Sequence, residues 1–221
     1  MTILGIETSQ TACSVALYRK GEIVQVHREA PMQQAKLLLG MIDELLRSHD
    51  TPPNQLDAIA FGCRPGSFTG LRIAASVAQG LGYALDLPLI PISSLAALAQ
   101  TLYGLHGWRQ ITVAVDARIQ EVFLGSFQVG SDGLAVPAGK ESLVSPSELA
   151  STAPEWCRGG NAWHVYSVPS SGAPSDTTSL PTAAAIIELA MPKFNQKDWV
   201  LPEDVSPVYL RDEVAVKENK R

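Results

Sequence analysis

Cysteine is scarce. The 221 residues hold three, Cys13, Cys63 and Cys157, far apart and without a Cys-x-x-Cys. That argues against a disulfide scaffold and against a thiolate zinc site. The four histidines, His27, His49, His106 and His164, stand alone, none with a second His three or four residues away. No metal site and no cofactor are expected from them. Positive charge is also short: 17 Lys and Arg against 22 Asp and Glu give a net charge of −5. Binding of nucleic acid through phosphate needs a basic surface, so a stand-alone nucleic-acid binder is a poor fit. No apolar window reaches the length of a charge-free membrane span. The start, Met1-Thr2-Ile3-Leu4-Gly5-Ile6-Glu7, lacks a basic n-region, and Glu7 interrupts its apolar run. No secretory leader is expected, and the expected compartment is the cytoplasm. No Ser-His-Asp, Cys-His or His-Glu-x-x-His arrangement can be drawn from local spacing, which weakens hydrolase readings.

What is present is an ordered alternation of strand and helix patterns. Ile3 to Thr8 is a short apolar run, followed by Ala12 to Tyr18, a turn at Arg19-Lys20-Gly21-Glu22, and Ile23 to His27. These predict a three-strand meander. A helix is predicted from Gln34 to Ser48, a strand over Ala58 to Gly62, and a long helix after the Pro65-Gly66 turn. Pro88 to Ile92 predicts a strand, and Ser93 or Ser94 can cap a third helix through Tyr103. The pattern then starts over. Val113-Ala114-Val115-Asp116-Ala117 matches Leu4-Gly5-Ile6-Glu7-Thr8, and the strand after each matches as well. A repeat of this kind predicts two related α/β halves. The second half is poorer: Ser167 to Thr182 reads as a loop and Thr182 to Met191 as its best helix.

Glu7 and Asp116 stand at matching strand ends. Carboxylates there could hold a metal–nucleotide or act as acid and base, or could simply cap the following turn. A phosphate-binding hairpin wants glycine beside the acid, whereas Glu7 precedes Thr8-Ser9-Gln10 and Asp116 precedes Ala117-Arg118-Ile119. Glu7, Thr8 and Asp116 are therefore vestigial candidates for a worn or absent phosphate site. Gly66-Ser67-Phe68-Thr69-Gly70 could cradle an anion at a helix start, or be a tight turn with Ser67 or Thr69 as N-cap.

The two helices of the first half are richer in apolar surface than a surface helix needs. In the first, Leu37, Leu38, Leu39, Met41, Ile42, Leu45 and Leu46 spread over a wide arc. In the second, Arg72 is the one charged residue between Leu71 and Leu85. Leu38, Met41, Ile42 and Leu45 of the first helix, with Ile73, Val77 and Leu81 of the second, are the expected partner interface.

Several blocks closely resemble the TsaB (YeaZ) family. They are Ile3-Leu4-Gly5-Ile6-Glu7-Thr8-Ser9, Ala12-Cys13-Ser14-Val15-Ala16-Leu17, Pro65-Gly66-Ser67-Phe68-Thr69-Gly70-Leu71-Arg72-Ile73, Asp116-Ala117-Arg118 with Glu121-Val122, and Pro207-Val208-Tyr209-Leu210-Arg211. They run in order through almost the whole chain. The resemblance implies a two-lobed ASKHA fold, as in actin, Hsp70 and hexokinase, with a duplicated mixed sheet plus helices and a reduced second lobe. It places a first lobe at 1–105 and a second at 106–206, with 207–221 able to pack back on the first. It implies a non-catalytic subunit that pairs through its first two helices with TsaD, the transferase making threonylcarbamoyladenosine beside the anticodon of tRNA. It further implies the ATPase TsaE in a larger complex, a homodimer when alone, and tRNA contact only indirectly. The TsaD His-x-x-x-His pair has no counterpart in Ser93-Ser94-Leu95-Ala96-Ala97-Leu98. Two departures stand out: Glu7 where the family more often has Asp, and Arg64 where it often has Gly. The alternatives are an ASKHA ATPase or small-molecule kinase, and a glycoprotease-like peptidase.

Overall fold

The computed structural model describes residues 1–152 and 154–205. The Pro207–Arg211 block and the 207–221 segment lie outside the described residues. The first sheet has the order β3-β2-β1-β4-β5, built from β1 (Thr2–Glu7), β2 (Ala12–Arg19), β3 (Glu22–Glu29), β4 (Ala58–Arg64) and β5 (Leu89–Ser93). The meander β1-β2-β3 is antiparallel and β4 and β5 join in parallel. The second sheet is formed by β6 (Gln110–Arg118), β7 (Glu121–Val129), β8 (Ala135–Pro137), β10 (Cys157–Gly159) and β11 (Ser175–Asp176) in the order β11-β10-β6-β7-β8, with β9 (Ser142–Val144) also on β7. The two orders superimpose term by term. The expected duplicated mixed sheet with flanking helices is thus present.

The helices show how the second half is reduced. Between β3 and β4 the first lobe carries α1 (Gln34–Ser48), and the second lobe has only a short 3-10 turn, Pro146–Ser151, at that place. After β4 comes α2 (Phe68–Leu85), and after β10 comes α4 (Ala162–Val165), a single turn. The third helices, α3 (Ser94–His106) and α5 (Ala183–Gln196), are both long.

Packing crosses the expected lobe boundary. On one face of the first sheet, Leu4, Ile6, Val15 and Phe61 pack with Leu38, Met41 and Leu45 of α1 and with α2. On the other face, Ile3, Ala16, Ala60 and Ile90 pack under Ala183, Ile186 and Ile187 of α5. Gly5 permits that approach, since a Cβ there would meet the Ala183 carbonyl oxygen at 2.7 Å. Conversely Leu95, Leu98 and Leu102 of α3 cover Ile111, Val113 and Phe127 of the second sheet. Each sheet is roofed by the helix that belongs to the other half by sequence. A division at 105/106 separates the strands but not the cores. Residues 200–205 also return to the first lobe: Leu89 and Val200 exchange two backbone hydrogen bonds of 2.9 Å, and Gln79 donates to the Pro202 carbonyl at 2.7 Å.

Two expectations need correction. The loop from Ser167 to Thr182 contains β11, held in place because its parallel pairing extends β10. The last helix runs to Gln196, through Pro192, beyond the expected end at Met191. Phe194 and Trp199, with ring centroids 5.4 Å apart, pack on the core beneath it and continue the helix past the proline.

Candidate functional site

The first lobe's strand ends converge on Glu7, which is 2% exposed. Its carboxylate accepts from the Ser9 amide at 2.5 Å and from the Ser94 hydroxyl at 2.8 Å. Burial pushes its pKa up, against the pull of those donors. Gly62 on β4 leaves the space this carboxylate fills, because a Cβ there would lie 2.1 Å from Oε2. The carboxylate is thus walled in by backbone and by the start of α3. A phosphate or hydrated metal has no approach to it.

Thr8 is fully buried and its hydroxyl donates to the Gly70 carbonyl at 2.8 Å. The Ser67 amide donates to the Ser9 carbonyl at 2.7 Å, and a Cβ on Gly70 would meet the Thr8 carbonyl oxygen at 2.0 Å. The Pro-Gly-Ser-Phe-Thr-Gly block is therefore a lid on the β1–β2 turn. Ser67 caps α2 by accepting from the Gly70 amide at 3.4 Å. The Ser67 and Gly70 amides of this turn are spent on the chain itself.

Asp116 does the corresponding work in the second lobe. Its carboxylate accepts from the Arg118 amide at 2.9 Å and from the Tyr166 hydroxyl at 2.8 Å, and pairs with the Arg118 guanidinium at 3.4 Å. Burial, then the hydrogen bond to Asp116, raises the Tyr166 pKa. Of the two readings of Glu7 and Asp116, turn-capping is the one this geometry supports.

Sequence reasoning found the Ser93 cap but missed Glu141 beside it. Ser93 both caps α3 and donates to Glu141, a residue of the second lobe. Burial raises the Glu141 pKa, with Ser93 and Arg64 pulling it down. Burial also pushes the Cys63 thiol up to about 12, which leaves it a poor nucleophile. A sign was available in Gly62, a glycine ending an apolar strand that faces an acid. An open groove of about 500 Å³ lies elsewhere, lined by Gln25 and His27 of β3, Thr101 of α3, and Thr182 and Glu188 near α5.

The expected interface residues divide. Leu38, Met41, Ile42 and Leu45 are sealed in the chain's own core, so α1 offers none of them to a partner. The reason is that one flank of the wide apolar arc meets the sheet and the other meets α2. Ile73, Val77 and Leu81 are half-buried along one side of α2. Beyond them the outward arc of α2 carries Phe68, Ser76, Gly80, Tyr83 and Ala84, all exposed, with Tyr83 at 58%. On α1 the exposed residues include Leu39 and Gly40. A Cβ on Gly40 or Gly80 would meet nothing within 4 Å.

Comparison with known proteins finds relatives along nearly the whole chain. The family model for TsaD, tRNA N6-adenosine threonylcarbamoyltransferase, matches residues 26–199. A tRNA threonylcarbamoyladenosine biosynthesis protein TsaB of Haemophilus influenzae is 37% identical, covering 98% of this chain and 96% of that protein. The Escherichia coli TsaB is 32% identical, covering 98% and 97%. A solved structure of YeaZ from Pseudomonas aeruginosa superimposes with a TM-score of 0.87 at 37% identity, covering 95% of this chain and 99% of that one. With the duplicated sheet, the lidded first turn and near full-length identity above 30%, the chain belongs to the TsaB (YeaZ) family of glycoprotease-like proteins.

Proposed function

We propose that the chain works in the making of threonylcarbamoyladenosine on tRNA, as a non-catalytic subunit that docks on a TsaD-type transferase through the outer face of α2. The observation that carries the reading is that face itself. It spans five helical turns with Arg72 as its one charge, and it carries an exposed glycine, Gly80, that the chain's own packing does not require. A glycine inside a helix costs about 1 kcal/mol relative to alanine, and a close helix-on-helix approach is a physical return for that cost. The half-buried Ile73, Val77 and Leu81 supply an apolar edge, and Phe68 and Tyr83 supply aromatic anchors of the kind interfaces favour. In this reading α1 contributes Leu39 and Gly40, not its buried row. The same face would drive a homodimer in the absence of the transferase, TsaE would join the assembled pair, and tRNA would be met chiefly by the partner.

The rival readings lack support at the residue level. A kinase or ATPase would use Glu7 to approach a metal–nucleotide, and Glu7 is enclosed. A cysteine peptidase needs a thiolate, which burial suppresses at Cys63, and a metal-dependent one needs a His-x-x-x-His pair, which the sequence does not contain.

The test is Gly80→Arg against Ile42→Asp. The first places a long cation on the open face without touching the core. It should leave the lone chain's melting temperature unchanged or higher and weaken binding to the purified transferase about a hundredfold or more, as expected for an unpaired charge pressed into an apolar contact. Ile42→Asp should lower the melting temperature of the lone chain. Unaltered binding by Gly80→Arg in calorimetry would remove α2 as the docking face.

A further inference from the structure

The duplication makes an internal comparison possible at the two hairpin tips. In the first lobe, Thr8 and Ser9 of the β1–β2 turn are buried under the Pro65–Gly70 turn that opens α2. Glycine at 66 and 70 lets that turn touch the hairpin backbone: a Cβ on Gly66 would lie 2.8 Å from the Ser9 carbonyl oxygen. In the second lobe the corresponding helix is the single turn α4. Its entry, Gly160-Asn161, reaches only the base of the β6–β7 hairpin, where the Asn161 side chain accepts from the Asp116 amide at 2.9 Å. Among the described residues nothing covers the tip. Ile119 is 80% exposed and the Arg118 side chain 85%.

The tip is also held in an unusual shape. Arg118, Ile119 and Gln120 have φ of 66°, 53° and 58°, three consecutive non-glycine residues in the left-handed region. For a β-branched residue such as Ile119 this is a real strain. The strain is sustained from below, where the Asp116 carboxylate takes the Arg118 amide and is itself fixed by Tyr166. A firm base thus projects an apolar side chain beside a cation, into solvent.

We propose that the β6–β7 tip is a docking element, and that its occupant is the glycine-containing entry turn of a helix in a partner protein, carrying a carboxylate for Arg118. The first lobe covers its equivalent turn with such an element in cis, and the second lobe has lost that element while keeping the hairpin. The partner would supply in trans what α2 supplies within the chain, with Ile119 as the anchor and Arg118 fixing polarity. This inference rests on the reading of the chain as a subunit of a multi-protein assembly, and it adds a second contact site on the other lobe.

The experiment compares Ile119→Gly, Ile119→Asp and Arg118→Glu in the full chain. Glycine accepts the left-handed backbone without strain, so Ile119→Gly should melt at or above the parent temperature. Each variant is titrated with the purified transferase, and the resulting pair with the purified ATPase. A loss of about tenfold or more at either step by Ile119→Gly and Ile119→Asp, with Arg118→Glu also weakened, supports the proposal. Parent-like affinity at both steps overturns it. So does a fall in melting temperature for Ile119→Gly, which would mean that the side chain serves the lone fold. Gly80→Arg run in parallel separates the two readings: if it breaks the pair while the tip variants bind normally, only the tip proposal fails.

Discussion

The carboxyl of Glu7 is cut off from water yet keeps two donors, and that combination makes a definite pH signature. Its pKa in the folded chain is raised by burial above the value it has when unfolded. Between those two values the folded state binds more protons than the unfolded one, so stability falls as pH rises through that window and stays reduced above it. Glu7→Gln keeps the shape and the acceptor for the Ser9 amide but removes the ionisation. Its melting temperature should exceed the parent's at pH 8, with the gap closing as pH approaches 4.5. Glu7→Ala should instead lose about 2–4 kcal/mol at pH 5, from a cavity and an orphaned Ser94 hydroxyl, and less at pH 8, where the parent itself is less stable. Melting curves at pH 5 and pH 8 distinguish these outcomes; a pH-independent Glu7→Gln offset would show that Glu7 ionises freely. The sequence placed Glu7 at the end of an apolar strand, and the missing glycine in the turn argued against a phosphate. It could not show that Ser94, 87 residues away, donates to Glu7, since that bond depends on β5 lying beside β4.

At the scale of elements, glycines in α2 sort into opposite kinds. Gly70 is required, because any side chain there would strike the Thr8 carbonyl oxygen. Gly80 faces open space in a helix interior. Gly80→Ala should therefore stabilise the lone chain by about 1 kcal/mol, raising Tm by roughly 2–4 °C, and Gly70→Ala should destabilise it by more. Equal effects in a thermal melt would contradict the packing described for the α2 entry. The same distinction explains what the sequence could and could not reveal about elements. The apolar period gave α1 its span from Gln34 to Ser48, matching the structure. It does not say which flank faces inward: Leu38, Met41, Ile42 and Leu45, expected at a partner, lie in the chain's own core with the sheet and α2. The strands β8 to β11 are two or three residues long, too short for a period of two to be visible; β8, β9 and β10 exist because β6 and β7 offer edges to pair with, and β11 because β10 offers one.

For the whole molecule, the exchange of α3 and α5 between the sheets decides how the chain unfolds. A repeat in sequence suggests two units that could separate, and the strand orders bear out the repeat. The cores do not separate, because removing α5 uncovers Ile3, Ala60 and Ile90 of the first sheet, and removing α3 uncovers Ile111 and Phe127 of the second. Gln100 of α3 adds a polar tie, donating to Glu188 of α5 at 2.7 Å while accepting from the Ala135 amide of β8 at 2.8 Å. Loss of one sheet thus exposes the inner face of the other, which is the condition for a single cooperative transition. Trp199 reports on the first core and Trp163 on the outer face of the second sheet. Variants that keep one or the other as the sole tryptophan should give coincident urea midpoints. A fragment ending at residue 105 should fail to give a cooperative transition, since it presents Leu95, Leu98 and Leu102 with nothing to cover them. Separate midpoints for the two reporters, or a well-folded fragment, would mean that the lobes are energetically independent despite their shared helices.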